Sequence, residues 1–116
     1  MKVYGIPNCN TVKKAIDWLK TNQGEFEFHN YKKEGITKEK LREWSKQVGW
    51  EKLLNKKGTT WRGLSEAQQK KVINQKTAME LMIEKPSIIK RPVIEAEGKL
   101  IVGFDEEEYD ASLKKI

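Results

Sequence analysis

The chain has 116 residues, 37% hydrophobic and 34% charged, with four Trp, three Tyr and three Phe; this is one domain's worth of chain with too many aromatics for a disordered one. No apolar run reaches the roughly 20 residues that a membrane-spanning helix needs, and the N-terminus lacks the apolar stretch of a signal peptide, so we expect a cytoplasmic protein with no membrane partner. The net charge of +6 is uneven, with 20 Lys or Arg against 10 acids in residues 1–92 and 3 against 7 in residues 93–116. Such scattered cations suit solvated helix faces or small anions, and without an aromatic-plus-basic motif we do not expect nucleic acid.

Lys2 to Ile6 is a short β-prone run that Pro7 and Asn8 break. An amphipathic helix then begins near Asn10 or Thr11, with Val12, Ala15, Ile16 and Leu19 on one face. The only cysteine, Cys9, falls at this strand-to-helix junction. A helix N-terminus offers unpaired N–H groups and the positive end of the macrodipole, which favour a thiolate and would also hold an oxyanion. Lys13 and Lys14 add positive charge in the first turn. Asn8, Asn10 and Thr11 either donate to a bound anion or only cap the helix. One cysteine permits no internal disulfide, and we assign neither metal ligands nor a bound cofactor.

Asn22 and Gly24 stop the helix, and Glu25 to Tyr31 alternates as a strand, which makes a βαβ unit with parallel strands. His29 falls among its polar positions and reads as an exposed strand residue, not a general base. Lys32 to Gly35 is a charged turn. Thr37 caps a helix from about Lys38 to Val48, Gly49 ends it, and Trp50 to Leu54 makes a helical turn. Asn55 to Gly63 reads as a loop, and Ser65 with Gln68 and Thr77 with Glu80 form two capping boxes, each opening a short helix. Pro86 stops the second. Trp18, Trp44 and Trp50 read as core or helix packing, whereas Trp61 either lines a pocket or does not. Arg91 to Ala96 is a strand, Glu97-Gly98 a hairpin turn, Lys99 to Val102 its partner, and Asp105 with Glu108 caps a final helix through Tyr109 and Leu113. The order predicts an α/β, thioredoxin-like fold in one domain, residues 1–116. Its four-stranded mixed sheet has a helical subdomain, about 37–86, inserted between the βαβ and ββα halves.

The runs GIPNCNTVKKA, NKKGTTWR, MIEKPSIIKRPVI and VGF followed by an acidic helix together resemble the arsenate reductase family, ArsC/Spx-like, over nearly the whole chain. Within the family the sequence looks most like the arsenate-reductase-like YffB-type branch. The resemblance implies that Cys9 is the nucleophile, that Arg62 and Arg91 bind an oxyanion, and that glutathione is the co-substrate, with glutaredoxin a candidate partner. Pro92 stands where thioredoxin-like folds place a cis proline opposite the cysteine, so Arg91-Pro92 is expected to be cis. Candidate site residues are therefore Cys9, with Arg62, Arg91, Asn8, Asn10, Thr11, Lys13 and Pro92 around an anion or glutathione, in a monomer.

Three positions depart from the arsenate reductase pattern. Gly5 stands where those enzymes have His, Val102-Gly103-Phe104 where they have a third arginine, and Val12 where they have Ser. In Spx-type regulators the Val12 position is the second cysteine of C-x-x-C. We therefore expect a glutathione-dependent thiol reductase that handles arsenate poorly. The alternative is an Spx-like regulatory or protein-binding module without turnover.

Overall fold

Val3 and Tyr4 are adjacent, and both are buried. In a strand, neighbours point to opposite faces, so this segment is a strand covered on both sides. In the computed structural model, which describes residues 1–22 and 24–113, it is β1 (Lys2–Gly5), an interior strand. β2 (Glu27–Asn30) pairs with it in parallel. On its other edge β3 (Val93–Ala96) runs antiparallel, and β4 (Lys99–Val102) extends the sheet as the hairpin partner of β3, giving the order β2-β1-β3-β4. This is the predicted thioredoxin-like arrangement. Glu97 and Gly98 turn the hairpin with φ of 45° and 81°, values that suit a two-residue type I′ turn.

One row across the sheet, Phe28, Val3, Ile94 and Ile101 in register, joins a single core. To it α1 (Asn10–Asn22) contributes Ala15, Trp18 and Leu19, and α8 (Glu106–Ser112) with its cap contributes Tyr109 and Leu113. The Tyr109 ring meets Trp18 edge-on at 5.3 Å and Phe104 at 4.9 Å, geometries that aromatic quadrupoles favour. On the opposite face Tyr4 donates to Glu95 Oε1 at 2.8 Å and packs against the His29 ring at 4.8 Å. His29 is half-buried, not exposed as predicted, because parallel pairing sets it beside Tyr4.

The sheet, α1 and α8 belong to one compact unit, residues 1–30 with 91–116; residues 31–90 form a second. The second unit holds α2 (Tyr31–Glu34), α3 (Lys38–Val48), α4 (Trp50–Leu53), α5 (Thr59–Arg62), α6 (Glu66–Lys70), α7 (Gln75–Glu84) and a 3-10 turn at Pro86–Ile88. Its limits are wider than the insertion expected at about 37–86. At one end Tyr31, predicted to close a strand, instead opens a helical turn and is fully buried. At the other, a bridge between Leu54 and Ile89, with Asn55 N–H to Ile88 C=O at 2.8 Å and Lys90 N–H to Leu53 C=O at 2.7 Å, ties residues 88–90 to α4. Thr37 caps α3 and Gly49 closes it, as predicted. Thr77, however, does not cap α7. Asn74 does, accepting from Thr77 N–H at 3.0 Å while Thr77 Oγ1 accepts from Asn74 N–H at 3.1 Å. No helix among the described residues is long and apolar enough to cross a membrane.

Candidate active site

Cys9 follows β1 by way of Ile6, Pro7 and Asn8. Its N–H donates to Ile6 C=O at 3.2 Å, and its C=O accepts from Lys13 N–H at 3.0 Å. The second bond is the first of the helical ladder, so Cys9 is the N-cap of α1, and Thr11 and Val12 are the second and third residues of the helix. An N-cap side chain meets the free N–H groups of those two residues, commonly through the oxygen of Ser, Thr, Asp or Asn. Here a sulfur takes that place. The Thr11 and Val12 N–H groups and the Arg91 side chain all favour the charged form of that sulfur.

The thiol's acidity follows from that contact set. Partial burial pushes it up. The Arg91 hydrogen bond, the Val12 N–H, the Arg91 charge and the Thr11 N–H together outweigh burial and leave Cys9 below the usual thiol range. The effective cation is thus a single guanidinium that reaches the sulfur from the far end of the sequence. Lys13 and Lys14, predicted to add to the charge of Arg91, are exposed on α1.

Arg91 is held at the start of the returning chain. The Arg91-Pro92 peptide is cis, as expected, and Pro92 is buried. The Pro92 C=O accepts from Gly103 N–H at 2.8 Å, and the Gly103 C=O accepts from Tyr109 O–H at 2.6 Å. Burial, reinforced by the charge of Glu108, pushes the Tyr109 phenol far up, so it stays protonated and keeps donating. The residue after Arg91 is thereby anchored through a single residue, Gly103, to α8.

Of the predicted residues, the structure brings together Cys9, Thr11 through its backbone, and Arg91 with its neighbour Pro92. Asn8, Asn10 and Lys13 are exposed beside the helix start. Arg62 is exposed at the end of α5 in the 31–90 unit, next to a half-buried Trp61 whose ring carries Lys56 Nζ at 5.4 Å. The sequence reading missed the backbone of Val12, whose N–H favours the thiolate together with that of Thr11. Taking Cys9 as the N-cap, one residue before the proposed helix start, would have named both donors. Among the described residues no group of three or more His, Cys, Asp or Glu side chains is placed to hold a metal ion.

A profile of the ArsC family matches residues 4–112. The chain belongs to the ArsC family. A Haemophilus influenzae family member without an assigned activity is 44% identical over 110 residues, covering 95% of this chain and 96% of its own. The solved structure of the YffB protein superposes with a TM-score of 0.90 at 46% identity, over 97% of both chains. A solved arsenate reductase related protein of Brucella melitensis is 47% identical, with a TM-score of 0.74 over 96% of this chain and 92% of its own. Regulators are relatives as well: MgsR of Bacillus subtilis is 29% identical over 104 residues, 88% of this chain and 81% of its own. This ArsC chain thus has an arsenate-reductase-like fold that relatives use both in proteins linked to arsenate reduction and in regulators.

Proposed function

We propose that this protein is a glutathione-dependent thiol reductase with Cys9 as its nucleophile. The observation that carries the reading is the place of Cys9 at the N-cap of α1, where the Thr11 and Val12 N–H groups and the Arg91 guanidinium hold the thiol below its usual range. Thiolate is the reactive form, and a planar guanidinium beside it suits a carboxylate of glutathione or a small oxyanion. With a glutathione mixed disulfide as oxidant, the Cys9 thiolate attacks the glutathione sulfur and the S–S bond breaks. The substrate leaves as a thiolate, and Cys9 becomes glutathionylated. A second glutathione thiolate then attacks that disulfide, regenerating the Cys9 thiolate and releasing glutathione disulfide. Glutaredoxin is a candidate for the second thiol.

Arsenate fits this site less well. Phe104, in the segment where arsenate reductases place a third arginine, is an aromatic packed against Tyr109. Loss of a group that acts on transition-state charge costs on the order of a hundredfold. Arg62 keeps the oxyanion role that the family resemblance gives it, and Arg62→Ala tests that role separately. Asn8, Asn10 and Lys13 remain candidates for contact with a bound anion.

The test is glutathione-dependent reduction of a mixed disulfide, coupled to NADPH through glutathione reductase, with arsenate run in parallel. The reading expects turnover that disappears in Cys9→Ser and a slower reaction with arsenate. A wild-type protein whose turnover equals that of Cys9→Ser overturns it. A second reading, a protein-binding module without turnover, draws support from the regulators among the relatives and expects partner binding that survives Cys9→Ser.

A further inference from the structure

Gly5 ends β1 with its backbone buried. A Cβ built there would stand 3.0 Å from Val12 Cγ2, 3.5 Å from Val12 Cγ1 and 3.8 Å from Arg91 Cβ. The missing side chain at Gly5 therefore leaves just the room that Val12 and the root of Arg91 occupy. Val12 has little freedom to yield. It is fully buried, and a β-branched residue within a helix holds one strongly preferred rotamer. A displacement of Val12 moves the first turn of α1, whose Val12 and Thr11 N–H groups favour the Cys9 thiolate, as Arg91 does.

We propose that Gly5 and Val12 are a matched pair of positioning residues: the absent side chain at one and the branched side chain at the other set the distance of the α1 N-terminus from the Cys9 sulfur. The pair rests on the reading of Cys9 as the reactive thiol, and it explains two of the departures from the arsenate reductase pattern at once. A side chain at position 5 and a Val at position 12 compete for one space.

In Gly5→Ala the added methyl pushes on Val12 and meets the base of Arg91 only at ordinary contact distance. The ultraviolet thiolate titration of Cys9 should move upward, and alkylation by iodoacetamide at about pH 7 should slow by roughly 3- to 10-fold. Gly5→Ala/Val12→Ala, which vacates the space again, should return both readouts to wild-type values. Leu19→Ala, a core truncation elsewhere on α1, should lower the melting temperature without moving the titration, which separates positioning from general loss of stability. If Gly5→Ala does not fold, Val12→Ile adds bulk to the same contact from the helix side and should raise the titration in the same way.

A folded Gly5→Ala or Val12→Ile with wild-type titration overturns the proposal, as does a double variant that folds but stays shifted. Because the readouts need no turnover, a shifted and rescued thiol in a protein without glutathione chemistry would sink the proposed reaction and leave the pair standing.

Discussion

Arg91 contributes both a hydrogen bond and a charge to the Cys9 thiolate, and hydrogen bonds to charged groups contribute about 1.5 to 3 kcal/mol. Arg91→Ala should therefore move the thiol titration upward. Reactivity near neutral pH should fall by less than the thiolate fraction does, because a more basic thiolate is a better nucleophile. Following thiolate absorbance and alkylation rate across one pH series checks both; an unmoved titration would remove Arg91 from the site. Arg91→Lys should recover only part of the loss, since an ammonium keeps charge without the planar fork. At Tyr109, Phe removes the donor to the half-buried Gly103 carbonyl and should cost about 1 kcal/mol in urea unfolding. At this scale the sequence announced Cys9 clearly, as a lone thiol at a helix start. It offered three cations, Lys13, Lys14 and Arg91, and only the pairing of β1 with β3, which brings in Arg91, decides among them.

Elements with their own hydrophobic period or cap were readable: α1, α3 with its Thr37 cap, α6 with Ser65, and the Glu97-Gly98 hairpin. The single-turn helices α2 and α5 read as turn and loop because four residues carry no period. At α7 two capping patterns overlap, Asn74 with Thr77 and Thr77 with Glu80. The earlier one prevails, because it lets Asn74 and Thr77 satisfy each other's N–H groups while Thr77 Oγ1 also accepts from Ile73 N–H. Asn74→Ala should then cost about 1 kcal/mol of stability, measured by thermal or urea unfolding, and Glu80→Ala, at an exposed position, should cost much less. Equal losses would mean that the cap lies at Thr77 after all.

For the whole molecule, the unit boundaries revise the reading of charge. Residues 31–90 hold 15 Lys or Arg against 7 acids, and the remainder holds 8 against 10. The positive excess therefore lies outside the unit that carries Cys9, whose acidity is set by local contacts and not by a general basic surface. Those contacts link ionisation to folding. A thiol whose folded titration lies below its unfolded value of about 8.5 stabilises the fold fully above that value and loses this contribution as pH falls through the folded one. Between the two the unfolded chain holds more protons, so stability should rise with pH. Tyr109 acts in the opposite sense: its raised phenol costs stability only above the unfolded value of about 10, outside that window. The difference in urea midpoint between wild type and Cys9→Ser should thus grow from about pH 6 to about pH 9, and a flat difference would contradict the depressed thiol. The distance in sequence between Cys9 and Arg91 also bears on biosynthesis. Cys9 leaves the ribosome long before the segment that carries its guanidinium, and until β3 pairs beside β1 that part of its activation is missing. The nascent chain thus exposes a thiol without its guanidinium and arms it fully only when the segment that carries Arg91 has been made.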